Sequence, residues 1–296
     1  ATVPQVACGR VRFCATRCHP CTDVLTVVVA VSRVSGVNPG HFFQRTGAST
    51  FTPSVHAGGA WSDSDQHFSP LAGLLVHEIE RDRHERGNGP SQLARLTFDI
   101  LGRLPFQEFE VDVRVIRPGR TIELVEATMS SGGRSVLTTR AWYLTEADSS
   151  PVSVIEEAPL PGPESGWERD LTRVWTGGYI HQVEAKQVSE PRPGSSATWI
   201  TSPTHLIEGE KPIGIAEYVA RIDTANGIAV REDPTEWMFP NIDLSVHFFR
   251  EPESSWTGLD TTVTWGPTGI GLTSTVLHDI HGPVGRAEQS LTIRRQ

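Results

Sequence analysis

With 296 residues, of which 38% are hydrophobic and 21% charged, the chain has the composition of a globular protein with room for two domains. A formal charge of -9 at pH 7 argues against the basic surface through which proteins bind nucleic acid. The longest apolar run, which starts at Val24, is shorter than the roughly 20 residues of a membrane-spanning helix. We therefore expect a cytoplasmic protein without a membrane span.

Four cysteines lie close together near the start of the sequence, at Cys8, Cys14, Cys18 and Cys21. The spacing of Cys18 and Cys21 is compatible with a structural zinc site or a disulfide framework, but a second pair of ligands at a distance is missing. We therefore expect residues 1–40 to be an N-terminal extension with incidental thiols, and we predict no metal and no cofactor.

The first predicted domain covers residues 41–147 and contains extended segments followed by one helix. Apolar residues recur at helical spacing from Leu71 to Ile79, with Ser69 placed as the N-cap and Pro70 as the first helical residue. Beyond the helix, apolar and polar residues alternate in several segments, which is the pattern of half-buried antiparallel strands.

The same plan is repeated after a linker. Proline, serine and acidic residues are concentrated in residues 148–166, which predicts the linker, and the second domain covers residues 167–296. Its helical pattern contains Ile215 and Val219 and is stopped by Gly227. One helix against an antiparallel sheet predicts that the sheet wraps the helix. Two such units in one chain predict a pseudo-dimer joined at the sheet edges.

Two polar residues of the second domain fall on otherwise apolar faces. Asp223 shares a helix face with Val219 and Ile222, where burial would raise its pKa toward that of a general base. The alternative is that the helix end near Gly227 opens to water and leaves Asp223 exposed. Gln289 lies on the apolar side of the last strand, where it either holds backbone groups in the core or belongs to a site.

A third candidate lies in the segment WMFPNIDLSVHFFREP, where one strand face carries Asn241, Asp243, Ser245 and His247. If this strand pairs near the last strand, its polar side chains and Gln289 approach the helix that carries Asp223. One carboxylate and two carboxamides could then orient and deprotonate a water beside a polarised carbonyl.

Other catalytic motifs are absent or incomplete. The segment HEIER at His77 resembles a zinc-protease motif, but Arg81 stands where the second histidine ligand is needed. No G-x-S-x-G nucleophile motif occurs, and GPTGIG lies between strand-like segments, as a turn does. We interpret His67, His77 and His84 as surface or packing residues.

From Phe42 to Arg294 the chain resembles the TesB-like, or type II, acyl-CoA thioesterases. The strongest block is EWMFPNIDLSVHFFREP, continued by GIGLTSTVLHDIHGPVGRAEQSL. In the first half GGAWSDSDQHFSPLAGLLVHEIE matches, although the chain reads His-Phe-Ser-Pro from His67 where the family usually has His-Gly-Gly-Pro. The resemblance implies an α+β double hotdog, in which each domain is a long antiparallel sheet wrapped around one central helix.

The resemblance also implies a catalytic set. The family uses an Asp at the end of the second helix, a Thr or polar equivalent before the next strand and a Gln on the final strand, which correspond to Asp223, Asn241 and Gln289. Asn241 departs from the family because an amide replaces a hydroxyl. The implied reaction is hydrolysis of an acyl-CoA to free acid and CoA by Asp-activated water, with acyl-CoA as the small-molecule partner. A homo-oligomer built on the internal pseudo-dimer is a possible assembly.

Three other functions remain open from the sequence. A hotdog hydratase would need an Asp and a His in a D-x-x-x-x-H arrangement, which the chain lacks. A non-catalytic protein that binds acyl-CoA or lipid is favoured by Asn241 and by the altered segment QHFSP. An assembly protein would have no pocket behind Asp223.

We expect the first half of the chain to have a largely structural role, with Glu78 as a minor alternative to Asp223 as the catalytic carboxylate.

Overall fold

The computed structural model describes residues 40–253 and 255–296. The four cysteines lie outside the described residues, so the zinc and disulfide alternatives stay untested. None of the helices in the described part of the chain is long and apolar enough to cross a lipid bilayer.

Residues 40–147 contain two short strands, one long helix and four long strands in that order. The elements are β1 (His41–Arg45), β2 (Thr50–Pro53), α1 (Phe68–Glu85), β3 (Ser91–Ile100), β4 (Phe109–Arg117), β5 (Ile122–Ser131) and β6 (Arg134–Thr145), with a 3₁₀ turn at Val55–Ala57. The strand series after the helix is the one that the alternating sequence pattern predicts.

Residues 148–253 and 255–296 repeat this order with a shorter helical segment. The elements are β7 (Trp167–Glu168), β8 (Glu184–Gln187), β9 (Ser195–Thr201), β10 (His205–Ile207), α2 (Ala216–Val219), α3 (Thr224–Ile228), β11 (Trp237–Met238), β12 (Asp243–Phe248), β13 (Thr257–Trp265), β14 (Ile270–Asp279), β15 (Gly282–Thr292) and β16 (Arg294–Arg295).

The strands of both halves form one continuous sheet. Within the described residues this sheet has 14 strands in the order β10-β1-β2-β4-β5-β6-β3-β12-β15-β14-β13-β9-β8-β7, and β11 pairs with β16 in a separate ribbon. The halves join at two places. Strand β10 of the second half pairs parallel with β1, and β12 pairs antiparallel with β3, with Leu96 opposite Val246 and Phe98 opposite Leu244, all four buried. Burial of this apolar seam explains why the two sheets meet at their edges, and the predicted α+β double hotdog is confirmed.

Helix α1 is the apolar centre of the first half, because its residues from Phe68 through Ile79 are buried. The helix begins two residues earlier than predicted, and the cap is His67 rather than Ser69. The reason is that Nδ1 of His67 accepts the backbone N–H of Ser69 at 3.1 Å, which satisfies a free donor of the first turn. Pro70 is the third helical residue rather than the first.

The second helix is not continuous as predicted but is divided into α2 and α3 by a turn that contains Asp223. At the break the carbonyl of Ala220 accepts a hydrogen bond from the hydroxyl of Tyr179 at 3.3 Å, and the N–H of Thr224 binds the carbonyl of Arg221 instead. The pairing already changes from i to i-4 to i to i-3 at the N–H of Arg221, which ends α2 before this turn.

Helices α1 and α2 cross at Gly73 with almost no space between the backbones. A Cβ atom on Gly73 would lie 2.6 Å from the Cβ of Ala220 and 2.8 Å from the carbonyl oxygen of Ala216. These distances are below van der Waals contact, so the crossing requires glycine at this position.

We expect Gly73→Ala to lower the free energy of unfolding by about 1–3 kcal/mol, because the added methyl group forces the two helices apart. The gain of up to about 1 kcal/mol that alanine brings in a helix does not offset this overpacking. Chemical denaturation measures the change. Gly89→Ala is the control, since a Cβ there meets nothing within 4 Å and stability should change by less than about 0.5 kcal/mol. Equal stability of the two variants would contradict the close crossing.

Candidate active site

The structure brings Asp223, Asn241 and Gln289 into direct contact. The amide nitrogen of Asn241 donates to Oδ1 of Asp223 at 2.9 Å, and that of Gln289 donates to the same oxygen at 2.7 Å. The Asp223 side chain is only 7% exposed, so the alternative of a solvent-exposed carboxylate is wrong.

Sheet pairing places the two carboxamides. Asn241 precedes β12 and forms a bridge with Leu291 on β15, the strand that carries Gln289. The polar face of this strand carries Asn241, Asp243, Ser245 and His247. Of these four described residues, only Asn241 forms a hydrogen bond with Asp223. Asp243 instead accepts the backbone N–H of Ser290 at 2.6 Å and so stays in the sheet.

Burial raises the pKa of Asp223 to about 7, although the hydrogen bonds from Asn241 and Gln289 pull the pKa back toward its usual range. A carboxyl group with this pKa changes its protonation state near neutral pH. It can therefore both accept and return a proton under physiological conditions.

His67 is a site residue that the sequence interpretation missed. Its Nδ1 lies 3.8 Å from Oδ2 of Asp223, and its ring packs on Tyr179 with centroids 4.2 Å apart. Burial lowers the pKa of His67 to about 3, so the imidazole is neutral, and the proton sits on Nε2 because Nδ1 accepts from Ser69. The available signal was the QHFSP block that resembles the family in the first half.

A cavity of about 360 Å³ opens in front of Asp223, which contradicts the prediction made for a pure assembly protein. Its wall is mostly apolar and contains Trp61, Phe68, Ile100, Leu104, Leu171, Trp175, Ile180 and Met238. Trp175 packs edge-on against Trp61 with centroids 4.9 Å apart, and its Nε1 donates to the carbonyl of Gly227 at 2.8 Å. No cluster of His, Cys, Asp and Glu in the described residues is arranged to hold a metal ion.

Glu78, the alternative carboxylate of the first half, is buried and forms ion pairs with two arginines. Arg45 contacts both oxygens of Glu78 at 2.7 and 3.2 Å, and Arg81 binds it at 2.7 Å. Glu210 completes the cluster by binding Arg45 at 2.6 Å. Two guanidinium groups occupy both carboxylate oxygens of Glu78, which leaves neither oxygen free to hold a water molecule.

We expect Glu78→Gln to lower the free energy of unfolding by about 1–3 kcal/mol, because Arg45 and Arg81 lose a charged partner in a partly buried setting. Turnover of substrate should stay within about twofold of wild type. Thermal denaturation and a hydrolysis assay measure the two effects. Glu85→Gln is the matched control, since this partner of Arg81 is 63% exposed and its loss should change little. A severe loss of turnover in the folded Glu78→Gln variant would give the first half a catalytic role.

Comparison of the fold with solved structures agrees with a double hotdog. A hotdog protein of unknown function from Alicyclobacillus acidocaldarius superposes with a TM-score of 0.66 at 13% identity, over 85% of this chain and 95% of that one. Acyl-CoA thioesterase II TesB2 from Mycobacterium marinum gives 0.56 at 12% identity, over 86% and 96%. A tesB protein from Mycobacterium avium subs paratuberculosis gives 0.56 at 16% identity, over 85% and 96%.

Sequence comparison supplies the family. No curated protein matches the chain significantly. The family model of the acyl-CoA thioesterase N-terminal domain matches residues 58–144, and that of the acyl-CoA thioesterase C-terminal domain matches residues 151–293. The chain therefore belongs to the TesB-like acyl-CoA thioesterases, a family of thioester hydrolases built from two hotdog domains.

Proposed function

We propose that the protein hydrolyses an acyl-CoA thioester to free acid and CoA, with Asp223 as the base that activates water. The observation that carries the proposal is a buried carboxylate with a pKa of about 7, held by two carboxamides at the wall of an apolar cavity. The cavity receives the acyl group, and Asp223 lies beside the position that the thioester carbonyl would occupy.

In the proposed reaction Oδ2 of Asp223 removes a proton from a water molecule while the water oxygen attacks the thioester carbonyl carbon. Asn241 and Gln289 both bind Oδ1 and so fix the plane of the carboxylate, leaving Oδ2 for the water. The tetrahedral intermediate then collapses with cleavage of the C–S bond. Asp223 returns its proton to the leaving thiolate, which departs as CoA.

Charge on the carbonyl oxygen would be stabilised from the first half of the chain. The N–H of Phe68, the first residue of α1, has no acceptor within its helix, and Phe68 lines the cavity. The positive end of the 18-residue helix α1 reinforces this donor. Neutral His67, with its proton on Nε2, adds a second donor at the same wall.

Asn241 can take the place of the family's hydroxyl residue. Its amide nitrogen donates to Asp223 Oδ1 and to the carbonyl of Asp243 at 3.0 Å. Its own Oδ1 is a hydrogen-bond acceptor that can hold the second proton of the attacking water. The amide therefore orients both the base and the nucleophile.

The second candidate function is binding of acyl-CoA or lipid without turnover, which the same apolar cavity favours. An assay of CoA release from acyl-CoAs of increasing chain length separates the two. We expect thiol release well above the uncatalysed rate for at least one chain length. Tight binding of acyl-CoA with no release at any length would reject the hydrolase and favour the binder.

A further inference from the structure

Two arginine side chains line the outer part of the cavity that holds Asp223. Arg294 lies on β16, and Arg103 lies in the loop that follows β3. Arg294 is exposed, and the Arg103 side chain is 69% exposed, whereas Asp223 is buried at the inner wall. The two guanidinium groups therefore mark the mouth of the cavity.

Arg294 differs from Arg103 in its partners. Arg103 forms an ion pair with Asp65, the carboxylate that also lines the mouth, at 2.9 Å. Arg294 donates to the hydroxyl of Thr292 at 3.2 Å and forms no ion pair within residues 40–253 and 255–296. A guanidinium carries five N–H donors, so Arg294 has donors to spare for an anion.

The positive charge of Arg294 is opposite in sign to the net charge of the whole protein. The chain has a formal net charge of -9, which repels an anionic molecule in solution. At the mouth, the positive charge of Arg103 balances the negative charge of Asp65. The positive charge of Arg294 is therefore not balanced by either residue. An anionic part of a ligand is therefore favoured at Arg294 and disfavoured over most of the surface.

Paired backbone segments set the separation between the mouth and the catalytic groups. Asn241 bridges Leu291 beside Asp223, and three residues further along, Met238 on β11 pairs with Arg294 on β16. Three residues of extended chain correspond to about 10 Å, to which the arginine side chain adds its own length. The pantetheine arm of CoA, with its two amide groups, is long enough to span such a distance.

We propose that Arg294 binds a phosphate of the CoA moiety when the thioester lies at Asp223. This inference rests on the proposed function. The planar guanidinium matches two oxygens of a phosphate, and it is exposed enough to meet the polar part of the substrate while the acyl group occupies the apolar cavity. Arg294 thereby selects CoA thioesters over thioesters without phosphate.

The test compares two substrates that share the acyl group and the thioester, an acyl-CoA and the corresponding N-acetylcysteamine thioester, which has no phosphate. In Arg294→Ala we expect KM for the acyl-CoA to rise about tenfold with kcat unchanged, the loss typical of one charged hydrogen bond. KM for the N-acetylcysteamine thioester should not change. Arg294→Lys should recover part of the loss, because lysine keeps the charge but not the planar fork.

Arg295→Ala is the matched control. It removes the same charge from the same strand, but the Arg295 guanidinium lies over the ring of Trp237, 5.2 Å from its centroid, and not at the cavity wall. We expect KM for acyl-CoA to change by less than about twofold in this variant. An equal rise in both arginine variants, an equal rise with both substrates, or no rise in Arg294→Ala would overturn the proposal.

Calorimetric titration with free CoA tests the same contact without turnover. We expect Arg294→Ala to bind CoA about tenfold more weakly than wild type, and Arg295→Ala to bind it as wild type does. A wild-type protein that binds CoA through Arg294 but hydrolyses nothing would reject the proposed function alone. A wild-type protein that hydrolyses acyl-CoA while Arg294→Ala binds CoA normally would reject this inference alone.

Discussion

Asp223→Asn should reduce kcat for acyl-CoA by about 10²–10⁴ and leave the fold intact, because it removes the proposed general base and preserves the shape of the side chain. The asparagine oxygen can still accept from Asn241 and Gln289, so both hydrogen bonds to Oδ1 have a counterpart in the variant. An amide, however, has no basic oxygen to take a proton from water. The loss should therefore appear in kcat, with KM little changed.

The pH dependence gives the prediction a second, independent readout. Because the carboxylate is the active form and the pKa of Asp223 is about 7, kcat/KM of the wild type should rise about tenfold per pH unit below neutrality and level off above it. In Asp223→Asn the residual rate should lose this inflection. Initial rates between pH 5 and pH 9, in buffers of constant ionic strength, measure both profiles.

Glu78→Gln is the natural comparison, because it neutralises the buried carboxylate of the other helix and leaves Asp223 untouched. Unchanged turnover in a well-folded Asp223→Asn protein would remove Asp223 from the reaction. A wild-type profile without an inflection near pH 7 would do the same for its role as the base, even if the variant were inactive.

The sequence indicates Asp223 and Gln289 because each interrupts an apolar periodicity. A polar residue on a buried face needs partners, and the structure shows that the two residues are partners of each other. Periodicity also predicts the order of elements, which allows the strand after Asn241 to pair with the last strand, and the structure shows β12 beside β15. Residues within one half of the chain are therefore placed well by local patterns.

Features that depend on both halves are not visible in such patterns. His67 caps a helix of the first half and its Nδ1 lies 3.8 Å from Oδ2 of Asp223 in the second, and no local spacing in the sequence indicates that proximity. Likewise, at the break between α2 and α3 the carbonyl of Ala220 binds the hydroxyl of Tyr179, which is distant from it in sequence. The periodicity of the segment favours one helix, and it gives no sign that the backbone changes to i to i-3 pairing at Arg221.

The site also weakens the fold that carries it, and the direction of this effect is testable. Burial raises the pKa of Asp223 from 3.8 to about 7, so the folded protein holds a proton that the unfolded chain has already released at intermediate pH. The stability contributed by this group is complete below pH 3.8, falls as pH rises, and is lost above about pH 7. The total loss is about 4 kcal/mol, at about 1.4 kcal/mol for each pH unit.

Asp223→Asn should therefore be more stable than the wild type at pH 8, by up to about 4 kcal/mol, and of similar stability near pH 4. Urea denaturation of both proteins at several pH values gives the difference, in which the other titrating groups cancel. Asp112→Asn, on the exposed face of β4, is the control and should differ from wild type by less than about 0.5 kcal/mol. A variant that is less stable at pH 8 than at pH 4, relative to wild type, would mean that the carboxylate form of Asp223 stabilises the fold. The ionised base would then be satisfied by its neighbours in the resting protein, with little tendency to take a proton from water.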